Sequence, residues 1–286
     1  MSSDPRLSQA LDGVRALVLD ADGVLMWRSQ PIPGSAAARQ ERRRRGMPYR
    51  VVTNFSTAHR STLAATFGKA TGLPVDGAEI ITGASAAAAY TAGKHPGGRL
   101  LVLAASDARR EWEGQQLVTP EEAASGAEPV AAVVIGDAGD DLTFRNLDIA
   151  YGQIHAGADF VAIHRNLWWM TPKGHTLDSG ALVVGLEAAL GRRAVVCGKP
   201  SPVVFRQAVL ELAAELTARD EPRLLRREVA MVGDDPAADI AAAKRVGLRG
   251  ILVLTGKVDA ATADAARAGS DAVAASLADV VACLPA

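Results

Sequence analysis

The sequence predicts an α/β protein, a doubly wound parallel sheet with a second, smaller α/β domain inserted into it. Three observations predict this. Short apolar runs such as Leu17-Val18-Leu19 alternate with stretches of helical composition, and unbroken apolar character marks strands covered on both faces. A chain of 286 residues is long for one domain and suits a domain carrying an insertion of about a hundred residues. Gly93, His95, Pro96, Gly97 and Gly98 then form a hinge-like break, and Gly191-Arg192-Arg193 a return crossing. The expected division is residues 1–93 and 194–286 for a Rossmann-like core and 94–193 for the inserted domain.

The elements follow from local signals. The first strand ends at Asp20, and Gly23 permits a sharp exit. After the loop Pro31–Gly34, Ser35 is the expected N-cap of a helix through Arg45, closed by Gly46 and Pro48. Tyr49–Val52 reads as a strand ending in Thr53-Asn54-Phe55-Ser56. A helix over 61–71 and Glu79-Ile80-Ile81-Thr82-Gly83 lead to an Ala-rich helix over 84–92. In the insertion, strands are expected at 100–103, 131–135 and 159–163 and helices at 107–116 and 143–156. His164–Gly180 breaks that alternation and reads as a long loop, carrying Trp168-Trp169-Met170 and Thr171-Pro172-Lys173-Gly174-His175; a helix resumes over 179–190. Ala194–Cys197 and Glu228–Val232 are expected core strands, each followed by a helix opened by proline, Pro202 and Pro236. A strand at 251–254 and helices at 258–268 and 277–284 complete the chain.

Composition excludes several classes. Formal net charge is −1, so no global field draws nucleic acid or an anionic membrane, and neither is expected as a partner. The run Glu41–Arg45 reads either as a nucleic-acid patch or as the solvated end of its helix, where cations suit the dipole. Cys197 and Cys283 are too few for a disulfide framework and lack CxxC spacing. Residues 1–11 lack the apolar centre of a secretory signal, and no run of ~20 apolar residues occurs; a cytoplasmic protein is expected.

Ligands of open α/β sheets bind beyond the carboxyl ends of the strands. Four polar clusters stand there: Asp20 with Asp22, Thr53 with Asn54, Lys199, and Asp234 with Asp235 and Asp239. Each alone is an ordinary turn or surface residue. Two carboxylates one residue apart repel each other unless a cation lies between them, and a hard divalent ion, Mg²⁺ foremost, would relieve that and leave an oxygen free as nucleophile. Together the clusters supply what phosphoryl transfer requires: a nucleophile, a metal site, a cation and hydroxyl for phosphate oxygens, and a carboxylate for a proton. GxxxxGK[ST], GxGxxG after a strand, GxSxG and HExxH are all absent.

Asp20-Ala21-Asp22-Gly23-Val24-Leu25, Val52-Thr53-Asn54, Gly198-Lys199-Pro200 and Gly233-Asp234-Asp235 with Asp239 resemble, in this order, the four motifs of the haloacid dehalogenase-like hydrolase superfamily. The insertion between the second and third resembles the cap of its class IIA members. The resemblance implies a Mg²⁺-dependent phosphatase acting on a small-molecule phosphate ester. Asp20 would attack phosphorus to give an aspartyl-phosphate, and Asp22 would protonate the leaving oxygen and later activate water. Thr53 and Lys199 would hold phosphate oxygens and Asn54 would orient the phosphate or substrate. Asp20, the backbone carbonyl of Asp22 and Asp234 would ligate the metal, supported by Asp239, with Asp235 near the metal. Paired caps allow a homodimer. Leu177-Asp178-Ser179-Gly180 stands where class IIA members often carry a Gly- and Pro-rich substrate loop, so the substrate stays open. Trp168 and Trp169 are candidates either for leaving-group contact or for core filling, and His164, Arg165 and His175 for meeting a polar group. Two other outcomes stay in view, a phosphotransferase or mutase on the same scaffold and a non-catalytic metabolite-binding protein.

Overall fold

The computed structural model describes residues 6–27, 30–171, 174–258, 267 and 269–284. In chain order the strands are β1 (Ala16–Asp20), β2 (Met26–Trp27), β3 (Gln30–Pro31), β4 (Tyr49–Thr53), β5 (Ile80–Thr82), β6 (Arg99–Leu103), β7 (Gln116–Val118), β8 (Ala132–Ile135), β9 (Asp159–Ala162), β10 (Trp168–Thr171), β11 (Gly174–Leu177), β12 (Val195–Val196), β13 (Val229–Gly233), β14 (Arg249–Val253) and β15 (Ala272–Ala274). Contacts gather the chain into two compact units, one of residues 1–53, 61–81 and 199–286, the other of 54–60 and 82–198.

The first unit is built on a six-stranded sheet in the order β15-β14-β13-β1-β4-β5. The pairings from β15 across to β4 are parallel, with Ala16 beside Val229 and Leu17 beside Tyr49. β1, β4 and β13 are buried along their whole length, as the apolar runs of β1 and β13 require, and in β4 this burial includes Arg50 and Thr53. From β1 the chain moves outward through β4 to β5, and it returns far downstream at β13 to move outward on the other side. That reversal opens a crevice beyond the carboxyl ends of β1 and β13. Helices flank the sheet, among them Ser35–Arg44 and Pro202–Thr217. Ser201 caps the latter, its Oγ accepting from Val203 N at 3.2 Å, with Pro202 in the first turn. The Ser35 cap expectation is corrected: Gly34 at φ +82° is the N-cap, and Ser35 Oγ instead donates to Leu25 O at 3.0 Å.

The second unit has its own parallel sheet, in the order β12-β9-β8-β6-β7. Its core joins Leu101, Leu103, Val133, Ile135 and Phe160 with Ala150, Ile154 and Val183 from two helices. The helix Gly83–Lys94 groups with this unit because its Thr91 Oγ1 accepts from the buried Trp112 Nε1 at 3.1 Å. Residues 54–60 are tied in by the buried Glu111 carboxylate, which accepts from Arg60 N at 2.7 Å and Arg60 Nε at 2.8 Å. The contact limits therefore differ from 94–193 at both ends.

Val195–Val196, expected in the core sheet, pairs in parallel with β9 of the second sheet. The expected helix over 107–116 ends early: Ser106–Arg109 runs into a 3₁₀ turn at Arg110–Trp112, Gly114 takes φ +84°, and Gln116 opens β7. The long loop over 164–180 contains an antiparallel ribbon, with Trp168 opposite Leu177 and Trp169 opposite Thr176. Most of the expected helix over 258–268, and Pro172 and Lys173, lie outside the described residues. Among the described residues no helix is long and apolar enough to cross a membrane.

Cys197 is fully buried, and burial pushes its thiol up to about 12, far from thiolate at neutral pH. Iodoacetamide at mildly alkaline pH should therefore leave Cys197 unmodified in the native protein and alkylate it in guanidinium, as read by peptide mass. Labelling of Cys197 under native conditions would contradict the burial described here.

Candidate active site

Asp20 is the last residue of β1 and is buried, and its Oδ1 accepts from Ala21 N at 2.7 Å. The chain then turns tightly: Leu25 N and Met26 N both donate to Ala21 O at 3.0 Å, and Gly23 N donates to Met26 O at 2.6 Å. Gly23 takes φ +83°, which favours a residue without a side chain. The turn leaves Asp22 exposed as a residue. Its carboxyl is nonetheless partly desolvated, and that raises its pKa, with Lys199 and Lys257 pulling the other way.

Lys199 reaches Asp20 from the loop that leads into the helix Pro202–Thr217. Its Nζ donates to Asp20 Oδ1 at 2.5 Å and to Asp239 Oδ1 at 2.7 Å, with all three groups buried. Burial alone would lower the Lys199 pKa, but the two carboxylates outweigh it and hold the ammonium protonated. Asp20 moves well above the ordinary aspartate value, chiefly by desolvation and further by Asp239, although Lys199 opposes this.

At the end of β13, Asp234 is buried in a clasp of two glycines. A Cβ on Gly23 would stand 2.2 Å from Asp234 Oδ2, and one on Gly256 would stand 1.9 Å from the same atom. Lys257 N donates to that oxygen at 2.7 Å, and Thr255 Oγ1 donates to Gly23 O. Desolvation raises Asp234, and the Lys257 amide partly offsets it. Asp235 does a different job. Its Oδ1 accepts from Ala237 N at 2.9 Å and Ala238 N at 2.8 Å, and its Oδ2 pairs with Lys257 Nζ at 2.7 Å, so it caps the following helix. That helix opens with a π-helical turn, Pro236–Ala241, in which Ile240 N reaches back to Asp235 O at 3.2 Å. The wide turn sets Asp239 with Oδ1 on Lys199 and Oδ2 accepting from Asp235 N at 3.1 Å.

Carboxylate oxygens of Asp20, Asp234 and Asp239 all lie within 4.8 Å of one another. Three buried carboxylates against one ammonium leave an excess of two negative charges, and the donor set is all oxygen. Both features fit a hard divalent cation. Thr53, the buried last residue of β4, belongs to the same unit, and Asp20 pairs in register with Val52 beside it. Asn54 groups with the second unit, where it stands against Gly198: a Cβ on Gly198 would lie 2.7 Å from Asn54 Oδ1. Trp168 and Trp169 belong to that unit as well, half-exposed on the ribbon, with the Trp168 ring 4.2 Å from that of His175. His164 is buried 3.6 Å from Asp178, and burial lowers its pKa. Sequence reasoning missed Thr255, Gly256 and Lys257, although they follow the apolar run of β14 in the same manner as the other clusters follow theirs.

Two family profiles match this chain, "Haloacid dehalogenase-like hydrolase" over residues 17–117 and "HAD-hyrolase-like" over residues 196–280. A phospholysine phosphohistidine inorganic pyrophosphate phosphatase from Xenopus laevis is 32% identical over 254 residues, covering 86% of this chain and 85% of that protein. Among solved structures, a p-nitrophenyl phosphatase from Archaeoglobus fulgidus superposes with a TM-score of 0.81 at 26% identity, covering 95% of this chain and 99% of the other. A glycerol phosphate phosphatase from Mycobacterium tuberculosis in complex with calcium has a TM-score of 0.76 at 26% identity, covering 98% of this chain and 76% of that one. With these matches laid over the parallel sheet and its acidic edge, the chain belongs to the haloacid dehalogenase-like hydrolase family and is a phosphatase of that family.

Proposed function

We propose that the chain is a Mg²⁺-dependent phosphatase that hydrolyses a small phosphorylated metabolite through an aspartyl-phosphate on Asp20. The observation that carries this reading is the buried set of Asp20, Lys199, Asp234 and Asp239, in which one ammonium joins two carboxylates and two negative charges remain. Lys199 Nζ and Ala21 N both bind Asp20 Oδ1, so neither holds Oδ2, and Oδ2 is the attacking atom of the proposal. It forms a bond to phosphorus as the ester P–O bond breaks, and Asp22 gives its proton to the leaving oxygen. The desolvation that raises Asp22 helps it carry that proton. Asp22 then takes a proton from water, the water oxygen bonds to phosphorus, and phosphate leaves with Asp20 restored. Lys199 and Thr53 hold phosphate oxygens, and Asn54 orients the phosphate or the substrate.

Asp20, Asp234 and the Asp22 backbone carbonyl would hold the metal, with Asp239 supporting them. When bound, Mg²⁺ offsets phosphoryl charge so that an anionic carboxylate can approach. Trp168 and Trp169 are proposed to meet the leaving group, since both keep about half of their surface exposed.

Phosphate release from p-nitrophenyl phosphate, glycerol phosphate, pyrophosphate and phospholysine, with Mg²⁺ and with chelator, tests the activity. At least one ester should be hydrolysed in a Mg²⁺-dependent manner, and Asp20→Asn should lower the rate by about 10³-fold or more. Full activity in Asp20→Asn would remove the nucleophile from the scheme. Asp22→Asn should still bind Mg²⁺ by calorimetry while turning over about 10²–10⁴-fold more slowly, the usual share of a general acid. Asp234→Asn should weaken Mg²⁺ binding itself, and the opposite pattern would exchange the two roles. Gly256→Ala should weaken Mg²⁺ binding about 10–100-fold by displacing the Asp234 carboxylate.

A further inference from the structure

The first unit holds a second polar site at the opposite end of its sheet. A cavity of about 210 Å³ lies at the amino end of β4, lined by Arg42, Arg43, Arg50 and Arg219 together with Glu79 and Glu215. Thr53, at the carboxyl end of the strand, stands three residues beyond Arg50, about 10 Å along the strand.

Four arginines against two glutamates leave the lining with an excess of two positive charges. The ion pairs account for three of the arginines. Arg43 pairs with Glu79 at 3.0 Å, Arg50 pairs with Glu215 at 2.7 Å and with the adjacent Glu211 at 2.9 Å, and Arg219 shares Glu215. Among the described residues Arg42 has no carboxylate in an ion pair with it. It is 5% exposed, its Nη1 donates to Met47 O, its guanidinium lies 3.7 Å from the centre of the Tyr49 ring, and its Nε has no partner. One helical turn earlier, Arg39 is also buried and donates to the neutral Thr71 Oγ1 and Pro74 O, with Tyr49 beside it and no carboxylate partner among the described residues, again with an orphaned Nε. A buried cation without a counter-charge is costly, and folded proteins ordinarily pair it. Burial and the neighbouring Arg43 and Arg39 lower the Arg42 pKa to about 10 despite Tyr49 and Glu79, a sign of how poorly the charge is compensated.

We propose that this cavity binds a small multivalent oxyanion of the phosphate class, with Arg42 as its buried anchor and Arg43, Arg50 and Arg219 around it. Planar guanidinium forks match tetrahedral oxyanions through paired N–H donors, and the volume suits a phosphate with its close waters. The site adjoins the carboxyl end of the helix Ser35–Arg44, where the dipole disfavours anions. That end is already covered, because Glu41 O accepts from Arg45 N at 3.1 Å, Arg42 O from Met47 N at 3.3 Å and Arg43 O from Gly46 N at 3.0 Å. The same chemistry has two sources, free inorganic phosphate or the phosphoryl group of an organic ester.

The proposal is independent of the catalytic scheme and is tested by following amide resonances of Gly46, Met47, Tyr49 and Arg50 in ¹⁵N-labelled protein. Sodium phosphate should shift them saturably, and sodium chloride at matched ionic strength should not. Saturation by phosphate alone assigns the free ion, whereas saturation by the unhydrolysable phenylphosphonate as well assigns the phosphoryl group of an ester. Arg42→Met should weaken the apparent affinity at these amides at least about tenfold, the loss of roughly one paired oxyanion contact. Arg219→Gln, changed at a side chain that is about two-fifths exposed and so unlinked to core packing, should weaken it about threefold. The proposal fails if these amides do not saturate in the unsubstituted protein, if chloride reproduces their shifts, or if both variants titrate as it does.

Discussion

The arrangement of the first unit turns on one ammonium. Lys199 stands between Asp20 and Asp239, and neither carboxylate could remain ionised so close to the other in a buried setting without it. Such a triad is a poor source of stability, since removing three charges from water costs about as much as their attraction returns. Its value lies in position. It fixes the Asp20 carboxylate by one oxygen, holds the π-helical turn through Asp239, and places a cation at the first residue of the segment that returns to the first unit. The two negative charges left over give the site its appetite for a divalent ion.

What surrounds the triad is shaped by steric constraint more than by hydrogen bonding. Gly23 and Gly256 come from different strand ends, yet each leaves only the space of a hydrogen atom beside Asp234 Oδ2. Asp235, adjacent in sequence, is consumed by helix capping and by Lys257. Two aspartates that look equivalent in the sequence are thus separated by the direction in which the backbone leaves β13.

Much of this was legible in the sequence because the core strands are buried on both faces. Leu17–Leu19 and Val229–Val232 carry unbroken apolar runs, Tyr49–Val52 carries one interrupted only by Arg50, and the polar residues just past them are where the site forms. Legibility failed where pairing is decided by distant contacts. Val195-Val196 has the composition of a strand in either sheet, and nothing local says that β9 is its neighbour. Short edge strands such as β7 and β15 carry too few residues for a periodic signal. The ribbon of β10 and β11 was hidden because Trp-Trp-Met against Gly-His-Thr-Leu lacks the alternation of a half-buried hairpin. Ser35 misled as a cap because a left-handed glycine before it already turned the chain.

The strand order of the first sheet also dictates when the site can exist. β1 leaves the ribosome well before its neighbour β13, which begins only at Val229, after the whole second unit has been made. The second sheet, with every strand between Arg99 and Val196, has its partners sooner. Sequence-distant parallel pairing is slow because a long loop must close before any contact rewards it. Leu17, Val18 and Leu19 must therefore wait with one flank unsatisfied, a stretch for which chaperones would have a use during synthesis. Asp20, among the first residues of the site to be translated, is among the last to meet its partners.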